Sequence, residues 1–159
     1  MRLAPAQPLA EKLERAWDRE LFSCTGLATL LGWETHWTFL SKGSRAGYPD
    51  RTCCRERILF VELKREASTA TPLTDAQRGW LDRLARAGGE CYLWRPSDLD
   101  EIAEILARRG HFEFYGEDKS PGALVSDHAG YWTPRSLWIP GVGRSDTTEQ
   151  QNLLTKGAA

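Results

Sequence analysis

The residues best equipped for chemistry lie between Gly47 and Lys64, in the run GYPDRTCCRERILFVELK. A Pro49-Asp50 turn leads to an apolar run, Ile58-Leu59-Phe60-Val61, which carries Glu62 and Lys64 at its end. A strand places residues two apart on one face, so Glu62 and Lys64 point together while Val61 and Leu63 point away. A carboxylate and an ammonium at the end of so apolar a strand are costly to bury unless a metal or a partner takes them up. Asp50, Glu62 and Lys64 therefore read as one site, with two acids to hold a hard cation and an amine beside them.

The elements that must hold these residues follow from periodicity. Pro8 suits the first turn of a helix, and Leu9, Leu13, Trp17, Leu21, Cys24, Leu27 and Leu31 then recur at three- and four-residue steps as far as Gly32. The pattern predicts one long amphipathic helix, kinked near Gly26. Trp33 to Leu40 reads as a first strand, Ser41 to Gly47 as a loop, Arg51 to Arg55 as a second strand and Ile58 to Lys64 as a third. Thr74-Asp75-Ala76-Gln77 matches a capping box, and Trp80, Leu81, Leu84 and Ala87 carry its helix to Gly88-Gly89. Cys91 to Trp94 is a fourth strand, after which Ser97 is expected to cap a helix through Leu99, Ile102, Ile105 and Leu106. A helix between the third and fourth strands implies a crossover and a parallel pair, while the first three strands form a meander. The expected fold is α/β, a mixed sheet flanked by helices in the order αβββαβα, over residues 8–109. Beyond it, His111 to Tyr115 suits a short edge strand. Residues 110–144 read as an aromatic extension packed on the domain or on a partner subunit, and 145–159 as a disordered tail.

Composition narrows the function classes. With 159 residues, 41% hydrophobic and 27% charged, the chain can bury the core of one domain. A formal net charge of −1 excludes a global basic field, so any nucleic-acid binding must come from a local patch. The four cysteines lack the CxxC or CxxH spacing of a zinc site and are expected to be buried free thiols in a reducing compartment. The first thirty residues mix acids and bases, unlike a signal peptide, and no apolar run approaches membrane length. The expectation is a soluble, cytoplasmic protein without internal repeats.

At the Pro-Asp turn and the Glu-x-Lys strand the chain resembles the PD-(D/E)XK nuclease superfamily, and within it the virus-type replication–repair nuclease (VRR-NUC) family. The residues that carry the resemblance are Gly47-Tyr48-Pro49-Asp50, Phe60-Val61-Glu62-Leu63-Lys64 and Leu73-Thr74-Asp75-Ala76-Gln77-Arg78-Gly79-Trp80-Leu81, followed by Gly88-Gly89 and Tyr92-Leu93-Trp94-Arg95-Pro96. It covers roughly residues 10 to 109. The resemblance implies a restriction-endonuclease-like sheet and a Mg²⁺-dependent DNA endonuclease in which Mn²⁺ can substitute. Asp50 and Glu62 would hold the ion, with the carbonyl of Leu63 as a further ligand. An acid from the first helix, Glu20 or else Glu14, would join them. Mg²⁺ suits such a set because it takes a few carboxylates and keeps several waters. Lys64 would orient the attacking water and offset charge in the transition state. Gln77 has two candidate roles, as the third residue of the capping box and as the family's glutamine near the active site. Small stand-alone members resemble Holliday-junction resolvases, which implies branched DNA as substrate, a homodimer, and the host cytoplasm for a virus-encoded protein. The alternative is a non-catalytic module that grips branched DNA or a protein on the same fold. A third reading is a structural domain with a coincidental motif.

Local charge adds to this expectation. Residues 41–66 hold the bases Lys42, Arg45, Arg51, Arg55, Arg57, Lys64 and Arg65 against the acids Asp50, Glu56, Glu62 and Glu66. Lys42, Ser44 and Arg45 in the loop, with Arg65 after the strand, are the expected contacts to a phosphate backbone. Arg51 departs from the family pattern, which has an apolar residue after the aspartate, and is expected to face DNA or Glu56. His36 reads as a strand histidine outside the site.

Overall fold

The computed structural model describes residues 14–38, 45–66, 72–109, 113–114, 125–127, 130–132 and 134–144. Two helices, α1 (Glu14–Phe22) and α2 (Leu27–Leu30), precede three antiparallel strands, β1 (Glu34–Trp37), β2 (Arg51–Cys54) and β3 (Ile58–Leu63). Helix α3 (Asp75–Arg86) crosses over to β4 (Glu90–Trp94), which runs parallel to β3 with Glu62 opposite Leu93. A 3₁₀ turn (Pro96–Asp98) then leads into α4 (Leu99–Ala107). The sheet order is β1-β2-β3-β4, a mixed four-stranded sheet.

The alternation along β3 sorts the core into two layers. Leu59, Val61 and Leu63 face one side with Cys53, Tyr92 and Trp94, packed on Trp17 and Leu21 of α1 and on Ile102, Ile105 and Leu106 of α4. Phe60 faces the other side, where Cys91 and Leu93 meet Leu81 and Ala85 of α3 and Trp138. Fully burying an aliphatic side chain of this size contributes roughly 1.5–3 kcal/mol. These two layers therefore hold β3 tightly, and with it Glu62.

Several expectations change here. The long first helix is two helices, because the chain tightens after α1: Ser23 N–H donates to Arg19 O, and Gly26 N–H to Ser23 O at 2.8 Å. Gly26 lies so close to α1 that a Cβ would sit 2.6 Å from the Leu21 carbonyl oxygen, which only glycine permits. Ser97 does not cap α4; its N–H and hydroxyl donate to Glu66 at 3.1 and 2.8 Å. Asp98 takes the cap position and receives Arg95 N–H and the Arg144 guanidinium. Within the expected edge strand, β5 (Glu113–Phe114) joins β6 (Val125–Asp127) and β7 (Gly130–Trp132) in a separate three-stranded sheet. The four thiols are free, yet only Cys53 and Cys91 are buried; Cys24 and Cys54 are exposed.

The strands β8 (Trp138–Ile139) and β9 (Gly143–Arg144) form a hairpin. Leu93 N–H donates to Ser136 O, and Leu137 bridges to Tyr92, so this segment covers the outer edge of β4. Three acids of the domain anchor it. Asp82 accepts Trp138 Nε1–H at 2.8 Å, Glu101 accepts Ser136 N–H, and Asp98 holds Arg144 through both carboxylate oxygens. The expected tail from residue 145 lies outside the described residues. Among the described residues, no helix is long and apolar enough to cross a membrane.

Candidate active site

Gly47 sets the approach to the site. Its φ is +88°, and a Cβ there would lie 2.4 Å from the carbonyl carbon of Ala76 in the first turn of α3. A glycine lets the chain pass against the helix start in a left-handed conformation. Tyr48 then packs edge-on against Phe60 and Trp80, Pro49 is buried, and Asp50 follows immediately before β2. The Asp50 carboxylate accepts the Leu63 backbone N–H at 2.8 Å, which ties the turn to the end of β3.

On the other face of β3, Glu62 and Lys64 point the same way, as the strand period requires, and Lys64 Nζ lies 3.3 Å from Glu62 Oε1. Gln77 of α3 donates its amide to the same oxygen. Its own carbonyl accepts the Thr74 N–H at 3.0 Å and lies 3.4 Å from Lys64 Nζ. Gln77 thus completes the capping box and reaches the site at once, so its two expected roles coincide. The second oxygen of Glu62, Oε2, is buried without a hydrogen-bond partner, although the residue is only 1% exposed. An orphaned carboxylate oxygen is expensive in such a place. Burial and the neighbouring Asp50 push the Glu62 carboxyl up to about 8 against the pull of Lys64. Burial likewise raises Asp50 above the ordinary carboxylate range, opposed by the Leu63 N–H. Two acids that resist ionisation together fit a site completed by a positive ion.

A cleft of about 490 Å³ opens beside Asp50 and Leu63, walled by Glu14, Arg15, Asp18 and Arg19 of α1 and by Trp37 and Thr38. Of the two candidate helix acids, Glu14 lines this cleft; Glu20 is exposed on α1 and does not. Among the described residues, no three His, Cys, Asp or Glu side chains gather as a ready-made metal cage. The two carboxylates with the unpartnered Oε2 suit a cation that retains waters, such as Mg²⁺. Leu63 meets Asp50 through its N–H.

The basic patch expected on residues 41–66 is largely spent inside the fold. Arg51 does not face DNA or Glu56; it is buried, forked onto Asp18 of α1 at 2.7 and 2.5 Å, and lies between the Phe22 and Trp37 rings. Arg55 donates to the carbonyls of Leu31, Leu106 and Arg108 at the ends of α2 and α4 and covers Trp33. Arg57 is buried, donating to Ile105 O and lying 3.5 Å from Glu90. Of the residues expected to touch DNA, Arg45 is exposed and Arg65 half-buried, while Lys42 and Ser44 lie outside the described residues. The basic residues on the cleft are instead Arg15 and Arg19, one helical turn apart. Their signal in the sequence is the ERAWDRE run of α1, in which Glu14, Arg15, Asp18 and Arg19 flank the buried Trp17.

Compared with protein families, with curated proteins and with solved structures, the chain finds no match.

Proposed function

We propose that the protein is a metal-dependent DNA endonuclease that hydrolyses phosphodiester bonds at branched DNA as a homodimer. The observation that carries the reading is the buried Glu62 with one oxygen unpartnered beside Asp50, both acids raised by burial, with the Lys64 ammonium 3.3 Å away. Asp50 and Glu62 are the residues to hold Mg²⁺ or Mn²⁺, and Glu14 of α1 lines the cleft that opens beside Asp50. When bound, the ion supplies a Lewis acid for the phosphoryl oxygen and acidifies the attacking water.

The chain's own groups do the positioning. Leu63 N–H holds the Asp50 carboxylate in place, and Gln77 fixes Glu62 from α3. Lys64 sits on the same face as Glu62, where its charge offsets the negative charge that grows on the transferring phosphate. Lys64 also donates toward Gln77, which restricts the ammonium to this side of the sheet. Arg15 and Arg19 offer the flanking phosphates two cations on a rigid helix.

The test is incubation with Mg²⁺ or Mn²⁺ and a panel of a four-way junction, a flap and a linear duplex. Wild type cuts at least one of the branched substrates and Glu62→Ala cuts none. Equal behaviour of the two proteins on all three sinks the enzyme reading. Binding to branched DNA without cutting, and without a calorimetric metal site dependent on Asp50 and Glu62, would make the protein a binding module.

A further inference from the structure

Trp37 is the last residue of the edge strand β1, and the residue is 48% exposed. It lines the same cleft as Asp50, and the next residue, Thr38, donates its backbone N–H to the Asp50 carbonyl at 3.1 Å. A large aromatic surface is thereby held within one residue of the candidate catalytic acid. The ring is also braced. The Arg51 guanidinium lies 5.3 Å from its centroid, and Arg51 is itself fixed by the fork onto Asp18 and by the Phe22 ring. Exposed Arg15 and Arg19 of α1 line the same cleft.

We infer that Trp37 is a stacking platform for an unpaired nucleobase next to the scissile phosphate, with Arg15 and Arg19 tracking the backbone of that strand. The inference rests on the nuclease reading and gives it a substrate class. Bases within a continuous duplex already stack on both neighbours, so a protein ring reaches a base face only at an end, a branch or a flap. A cationic wall beside an aromatic platform is the arrangement by which single strands are held without sequence preference. The site therefore selects DNA in which a single-stranded segment meets the cut position, and it tolerates any base there.

The experiment measures binding in Mg²⁺ with the full chain carrying Lys64→Gln, to slow cutting. The probes are a blunt duplex and the same duplex with a single-stranded tail whose first unpaired base is 2-aminopurine. Trp37→Leu keeps an apolar side chain but removes the π face, and Trp37→Phe retains part of it. The expected result is that Trp37→Leu loses roughly 5- to 100-fold in affinity for the tailed DNA relative to the duplex, with loss of 2-aminopurine quenching. Trp37→Phe should fall between, and thermal melts of both variants should match the parent. An unchanged ratio of tailed to duplex affinity in Trp37→Leu overturns the inference and leaves the nuclease reading standing. Failure of the parent to bind either DNA overturns both.

Discussion

Replacing Glu62 by glutamine keeps the shape of the side chain and removes its charge. Burial and Asp50 raise the Glu62 carboxyl from 4.5 to about 8. Below about pH 4.5 the folded and the unfolded chain both carry this proton. Between about 4.5 and 8 the folded protein keeps it while the unfolded chain has released it, so each pH unit in that window shifts stability toward unfolding by about 1.4 kcal/mol. Over the whole window the metal-free protein loses up to roughly 5 kcal/mol through this one group. Glu62→Gln has no such proton to lose, and its carbonyl still accepts from Lys64 and Gln77. Glu90, raised to about 7 chiefly by burial, titrates in both proteins and cancels in their difference. Thermal melts in EDTA at pH 5 and pH 8 read the effect. The variant should melt close to wild type at pH 5 and clearly above it at pH 8, at about 2–4 °C per kcal/mol for a chain of this size. Adding Mg²⁺ at pH 8 should raise the melting temperature of wild type only. A variant less stable than wild type at both pH values refutes the claim that Glu62 is held at a loss in the metal-free fold.

Lys64→Gln should lower cleavage of the branched substrates by at least tenfold with little change in the calorimetric metal affinity; equal losses in both would assign the lysine to metal retention instead. Gly47→Ala meets both a φ of +88° and the Ala76 backbone at 2.4 Å, so urea unfolding should report a loss of at least about 2 kcal/mol. A Gly47→Ala protein as stable as wild type would show that the turn is not pressed on α3. Asp18→Ala leaves the Arg51 guanidinium without its carboxylate and should cost about 3 kcal/mol, whereas an exposed pair would give less than about 1.

What could be read from the sequence was what local pattern encodes. The period of two along Ile58–Leu63 put Glu62 and Lys64 on one face, and Thr74 with Gln77 announced the start of α3. The destinations of the arginines were not readable, because a guanidinium is placed by partners far along the chain. Arg51 is claimed by Asp18, and Arg55 by helix-end carbonyls up to 53 positions away. A run that counts as basic in sequence can thus be neutral as a surface. The choice between the two helix acids was unreadable for a different reason. Glu14 and Glu20 flank the same apolar stripe, and only the packing of α1 over β2 and β3 decides which turn meets the cleft. The break after Phe22 escaped periodicity because Leu27 and Leu31, the first residue and the C-cap of α2, resume the same spacing.

The amide of Gln77 has only one workable orientation. Its oxygen is claimed by the Thr74 N–H, so its nitrogen must face Glu62. The beginning of α3 and the charge on Glu62 are therefore read by one side-chain amide. When Glu62 is ionised the amide has a full anion to hold, and when it is protonated that grip weakens. The first turn of α3 should tighten and loosen accordingly, which makes amide-hydrogen exchange at Gln77 and Arg78 a built-in gauge of the state of the acid.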